Sequence, residues 1–127
     1  MRMYDCEPTL DDNQVLEFCK NGFLMLESVV PEEINKRVRE YYGTTEAMPR
    51  PPSPLKEDWF IENVVLNPQA AGAIRSLLGK NFVLPNQLGL HRNIAPFAGQ
   101  RWHRDGNAPR FSVEVNFLQT MYLPQDV

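Results

Sequence analysis

The chain has 127 residues, of which 43% are hydrophobic and 23% charged, the size and balance of one globular domain with a single core. Its net charge of −3 gives no general attraction to nucleic acid or to an anionic membrane. No apolar run is long enough to cross a bilayer, and the acidic N-terminus lacks the apolar core of a secretion signal. We therefore expect a cytoplasmic protein that binds neither nucleic acid nor membrane.

The first third of the chain is predicted to contain two helices with a strand between them. Thr9 is a candidate N-cap for the first helix, and Asn21-Gly22 supplies its stop signal. The short apolar run "FLMLE", residues 23–27, is typical of a strand. The second helix is predicted to begin at Pro31 and to end before Gly43. Its predicted apolar stripe consists of Ile34, Val38 and Tyr41 or Tyr42.

A proline-rich block and a third helix follow. "MPRPPSP", residues 48–54, excludes a helix interior or a central strand, and we interpret it as an extended surface connector rather than a substrate lid. "EDWFIENVV", residues 57–65, favours a strand or a sheet edge. Asn67-Pro68 then predicts the start of a third helix that Gly79 closes.

The last third of the chain is predicted to be rich in strands. Residues 81–96, "NFVLPNQLGLHRNIAP", indicate one or two strands, with Pro85 favouring an edge or a bulge. Residues 111–124, "FSVEVNFLQTMYLP", are rich in β-branched and aromatic side chains and predict another strand. Helices followed by strands predict an α+β fold.

A His-x-Asp pair lies in "GQRWHRDGNAP", residues 99–109. Residues two apart on an extended backbone point to the same side, so His103 and Asp105 can direct an imidazole nitrogen and a carboxylate oxygen at one point. These are two of the three ligands of a two-His, one-carboxylate site for non-haem Fe(II). The alternative is a polar turn in which the histidine simply pairs with a neighbouring aspartate.

Three stretches together resemble the phytanoyl-CoA dioxygenase-like family of Fe(II)/2-oxoglutarate-dependent oxygenases. "LDDNQVLEFCKNGFLMLESVVPEEI", residues 10–34, is similar to the family's opening, "WHRDG", residues 102–106, to its metal motif, and "VNFLQTMYLPQDV", residues 115–127, to the strand that follows. The resemblance implies that residues 1–127 are a single domain, the N-terminal portion of such an oxygenase. It also implies an α+β fold in which N-terminal helices pack on a partial double-stranded β-helix, or jelly roll.

The same resemblance implies an activity and a set of site residues. His103 and Asp105 would bind Fe(II), 2-oxoglutarate would chelate the metal, and dioxygen would bind beside it. The reaction would hydroxylate a small organic or lipidic substrate and release succinate and carbon dioxide. Gln87 and Gln119, on predicted strands that flank the motif, are candidates to donate hydrogen bonds to the co-substrate carboxylate.

The chain departs from the family pattern in one respect. The family's distal histidine ligand and its 2-oxoglutarate arginine would both follow Val127, so we expect the chain to be the front part of a longer protein. His91 is an alternative third ligand, although its position before the motif favours an ordinary hydrogen-bonding role. Two interpretations remain open: an oxygenase that is incomplete alone or completed by a second chain, and a non-catalytic interaction protein that pairs through exposed strand edges.

Overall fold

A computed structural model of the chain describes residues 5–43, 51–84, 87–89, 96, 98–99, 101, 115 and 117–125, and every structural statement below refers to these residues. All of their regular structure is helical, and it lies between residues 12 and 78. The helices are α1 (Asp12–Asn21), α2 (Glu32–Tyr42), the short α3 (Asp58–Phe60) and α4 (Pro68–Leu78). Within the described residues there is no strand, so the expected α+β jelly roll is wrong for this part of the chain.

The start of α1 differs by two residues from the sequence expectation. Asp11, not Thr9, is the N-cap, and its side chain accepts a hydrogen bond of 2.8 Å from the Gln14 amide. The Gln14 side chain in turn accepts from the Asp11 amide at 3.1 Å, which completes a capping box. At the other end Gly22 adopts the left-handed conformation (φ 79°), as the Asn-Gly pair predicted.

Thr9 is instead held against α4. Its amide lies 3.1 Å from Ser76 Oγ, and its hydroxyl donates to the Gln69 carbonyl at 3.1 Å. The approach is close because Gly72 has no side chain at the crossing point, where a Cβ atom would lie 2.3 Å from Thr9 Cγ2. The N-terminal segment therefore packs directly on the backbone of α4.

The predicted apolar face of α2 is confirmed. Val38 is buried, and Ile34 and Tyr42 pack around it. The buried core of this region consists of Val30, Val38, Phe60 and Val64. We call these four side chains the core cluster.

Residues 57–65, expected to be a strand, are helical from Asp58 onwards. One turn of α-helix, Asp58–Phe60, leads into a π-helical turn, Ile61–Val65, which closes with a 2.8 Å hydrogen bond from the Leu66 amide to the Ile61 carbonyl. Phe60 and Val64 are four residues apart and thus share a helical face, which buries both of them. This joint burial outweighs the strand propensity of the aromatic and β-branched residues.

The proline-rich connector is partly described. Residues 51–53 are irregular, as expected, but Pro54 begins a short 3₁₀-helix, Pro54–Lys56, and is fully buried. Tyr41 Oη donates a 3.2 Å hydrogen bond to the Pro52 carbonyl. The described part of the connector, residues 51–54, thus contacts the end of α2 and buries Pro54, while Pro52 and Ser53 are exposed at the surface as expected.

The predicted third helix is confirmed in detail. Asn67 caps α4 by accepting from the amides of Gln69 and Ala70, and Pro68 occupies the first turn. The Asn67 side chain is buried and also donates a 2.9 Å hydrogen bond to the Val29 carbonyl. One amide group thereby fixes the start of α4 to the loop that precedes α2.

The other expected strands are absent where the structure describes them. Residues 23–26 alternate between exposed Phe23 and Met25 and half-buried Leu24 and Leu26, but they pair with no neighbouring segment among the described residues. Residues 81–84, 87–89 and 117–123 are likewise irregular. An alternating pattern supplies one face of a strand but not the partner that a hydrogen-bonded ladder requires. No helix in the described ranges is long and apolar enough to cross a bilayer.

We expect Gly72→Ala to destabilise the protein by about 1–3 kcal/mol, because the new methyl group would overlap Thr9 and the Glu7 carbonyl oxygen. In an unobstructed helix the same change stabilises by roughly 0.5–1 kcal/mol. Urea denaturation followed by far-UV circular dichroism measures the difference. Gln69→Ala, at an exposed position in the same helix, is the control and should change stability little. A Gly72→Ala protein as stable as the wild type would contradict the packing of residues 7–9 on α4.

Candidate functional site

Two of the four predicted site residues can be located. Gln87 and Gln119 both lie on irregular, exposed segments, and no hydrogen bond joins either side chain to another described residue. The strands expected to carry them are not formed at these positions. His103, Asp105 and His91 lie outside the described residues, so the metal-pair expectation stays a prediction.

One side chain on each side of the segment that contains the His-x-Asp pair has a described environment. On the N-terminal side, Phe82 is buried four residues after the end of α4. On the C-terminal side, Tyr122 packs against the core cluster, with its ring centroid 6.3 Å from that of Phe60. The chain is therefore in contact with the helical core again at Tyr122.

Polar side chains on α2 bind the chain at residues 122–124. Tyr122 Oη donates a 2.6 Å hydrogen bond to Asn35 Oδ1. Asn35 Nδ2 lies 3.3 Å from the Val30 carbonyl and 3.4 Å from a Glu32 carboxylate oxygen. Since the amide nitrogen is engaged on that side, the Asn35 oxygen faces the phenol and acts as its acceptor.

Arg39 provides the second polar contact with residues 122–124. Its guanidinium donates one hydrogen bond to the Pro124 carbonyl and another to the Glu32 carboxylate. The Arg39 hydrogen bond lowers the pKa of the Glu32 carboxyl, and the Glu32 hydrogen bond raises the pKa of Arg39. We call the groups that receive residues 122–124, namely Asn35, Arg39 and the ring of Phe60, the α2 notch.

Aromatic rings extend from the notch towards the proline-rich connector. Phe60 contacts Trp59 edge-on at 5.8 Å between centroids, and Trp59 contacts Tyr41 at 5.9 Å. Arg37 covers the other part of this surface, with its guanidinium carbon 4.1 Å from the Trp59 ring centroid. The ring of Phe60 is buried in the core, whereas Trp59 is half-buried beneath the Arg37 cation.

Sequence reasoning missed the notch entirely. The sequence analysis assigns no site role to Asn35 or Arg39, and Tyr122 was one aromatic residue within a predicted strand. The pairing spans 87 residues of sequence, and no local pattern encodes such a contact. The only available signal was that Asn35, Val38 and Arg39 lie within one turn of each other on α2.

The α2 notch holds residues 122–124 in place but does not itself form a metal centre. Among the described residues there is no group of three or more His, Cys, Asp or Glu side chains that could hold a metal ion. The described helices therefore anchor the chain at a position that follows His103 and Asp105 in the sequence.

We expect stability to fall between about pH 10 and about pH 12, because two half-buried phenols ionise less readily in the folded protein than in the unfolded chain. Burial raises the pKa of Tyr42 and of Tyr122 to about 12. An unfolded tyrosine titrates near about pH 10. A pKa that is higher in the folded state stabilises the fold fully below the unfolded value, and this contribution is lost as pH rises through the folded value.

Urea denaturation at a series of pH values across this window measures the effect. Tyr122→Phe and Tyr42→Phe each remove one ionisable hydroxyl and should make the decline of unfolding free energy with pH shallower. Tyr4→Phe, which lies at the N-terminus, serves as the control for a general loss of phenol charge. Identical slopes in all four proteins would show that neither phenol is buried as described.

Comparisons of this chain with protein-family models, with curated proteins and with solved structures found no match. A function can therefore be proposed only from the residues of this chain.

Proposed function

We propose that the chain is part of an Fe(II)- and 2-oxoglutarate-dependent dioxygenase, similar to phytanoyl-CoA dioxygenases, which hydroxylates a small organic or lipidic substrate in the cytoplasm. The observation that carries the proposal is the His103-x-Asp105 pair within "WHRDG", residues 102–106. Sequences on both sides of the pair, residues 10–34 and 115–127, occur in the order found in that family. The proposal does not include a jelly-roll fold, because the described residues contain no strand.

The donor set suits the proposed metal. An imidazole nitrogen and a carboxylate oxygen are ligands that Fe(II) accepts, and a site of this kind leaves positions open for other ligands. His103 and Asp105 would hold the ion, which supplies the oxidising chemistry for C–H hydroxylation when 2-oxoglutarate and dioxygen are present. Gln87 and Gln119 are exposed, so their amide groups are accessible to donate hydrogen bonds to a 2-oxoglutarate carboxylate.

The docking of Tyr122 after the pair and the burial of Phe82 before it support this proposal. A metal ion held by side chains on a free chain must overcome the entropy of ordering that chain. Here Phe82 is buried before the pair and Tyr122 is docked after it, so part of this entropy is already lost on folding. The helical part would thus lower the cost of ordering the His-x-Asp segment around a metal.

A second candidate function has its own supporting observation. Large apolar side chains are exposed on two irregular segments of the described structure: Phe23 at 63%, Met25 at 67%, Phe117 at 61%, Met121 at 69% and Leu123 at 52%. Apolar side chains grouped on extended backbone are typical of surfaces that pair with another chain. The alternative is therefore a non-catalytic interaction protein that pairs with a second chain through these segments.

Titration of Mn(II), a redox-stable substitute for Fe(II), into the oxygen-free protein tests the first candidate. We expect His103→Ala and Asp105→Ala, separately and together, to weaken binding by more than about tenfold, since even groups outside the ligand shell can contribute that much. His91→Ala is the matched control and should bind as the wild type does. Release of succinate from 2-oxoglutarate with Fe(II) tests the reaction itself.

Equal Mn(II) affinity in the wild type and the double variant would contradict the ligand assignment. An equal loss in His91→Ala would instead make His91 a third ligand. Absence of Mn(II) binding, together with a mass that rises with protein concentration and falls back in Phe117→Ser, would favour the interaction protein.

A further inference from the structure

Residues 117–125, which we call the strap, are attached to the helical part at few points. Phe117, Gln119, Thr120, Met121, Leu123 and Gln125 are exposed, whereas Tyr122 is half-buried against the core cluster. Within the described residues only two hydrogen bonds reach the strap, Tyr122 to Asn35 and Arg39 to Pro124. Leu118 and Pro124 are also half-buried, but among the described contacts one ring and two hydrogen bonds join the strap to the helices.

The three groups of the α2 notch determine which chemical groups can bind there. The ring of Phe60 lies at its base and accepts another ring edge-on, at an interplanar angle of 70°. Asn35 Oδ1 requires a donor, which a tyrosine hydroxyl provides and a phenylalanine does not. Arg39 requires an acceptor two residues further along, where the strap offers the Pro124 carbonyl.

The helical part has the larger share of buried surface. Val38 and Phe60 are each 1% exposed, and both belong to a cluster formed entirely by residues 30–64. The strap adds a single ring at the edge of this cluster. Segments with few buried contacts open locally at a lower free energy than the core.

We propose that the strap opens from the α2 notch as a unit while the helices remain folded, and that the exposed notch then binds an extended peptide carrying Tyr-x-Pro, the sequence of residues 122–124. The partner is thus identified by chemistry: a phenol that donates to Asn35 and a downstream carbonyl that accepts from Arg39. The strap occupies this site in cis, so it competes with such a peptide. The inference does not require that the chain binds a metal ion.

The test uses the full chain carrying Tyr122→Ala, which removes the anchor and frees the notch. Far-UV circular dichroism should show unchanged helix content. Nitrogen-15 NMR should then show the Asn35 side-chain amide and the Arg39 guanidinium shifting as a synthetic peptide of residues 117–125 is added to millimolar concentration. In the wild type the same peptide should produce smaller shifts, because the strap is already bound.

Two controls distinguish specific recognition from nonspecific binding. Met121→Ala alters an exposed strap residue and should leave the wild-type response unchanged. A peptide with phenylalanine in place of the tyrosine should bind the Tyr122→Ala chain several-fold more weakly, because it cannot donate to Asn35. Loss of helix in Tyr122→Ala would overturn the independent opening of the strap. Equal binding of the two peptides, or no binding to the opened notch, would overturn the recognition.

Discussion

The burial of Phe60 is the interaction on which the described structure depends. Its ring is 1% exposed and lies among Val30, Val38 and Val64, which come from three separate segments of the chain. Tyr122 is added to the same ring from the far end of the sequence. Through these contacts the cluster fixes α2, the helical turns after the proline-rich connector and the strap relative to one another.

Polar side chains complete the arrangement at positions where the backbone would otherwise lack partners. Asn67 caps α4 and binds the Val29 carbonyl, and Asn35 binds both the Val30 carbonyl and Tyr122. Two asparagines thus join the residues just before α2 to the start of α4 and to the strap. The contact of Asn35 with Tyr122 fixes the chain at a position that follows the His-x-Asp pair in the sequence.

The sequence predicted the helices whose signals are local and failed where distant contacts decide. Asn21-Gly22, Pro31 and Asn67-Pro68 marked helix ends correctly because caps and turns depend on neighbouring residues. Residues 57–65 were wrongly predicted as a strand because their propensity was overridden by the burial of Phe60 and Val64. Gln87 and Gln119 could be named as candidates from the sequence. The α2 notch could not be predicted, because the residues that meet there are more than 80 positions apart in the sequence.

The most direct test is a nuclear Overhauser measurement on the full chain between the ring protons of Tyr122 and the side chains of Phe60 and Val38. If the chain returns to the helical core as described, cross-peaks will join the Tyr122 ring to Phe60, and the Asn35 side-chain amide will be shifted from its random-coil position. A Tyr122 ring with random-coil shifts and no cross-peak to the core would contradict the docking of residues 122–124 on the helices, and with it the attachment that supports the proposed site.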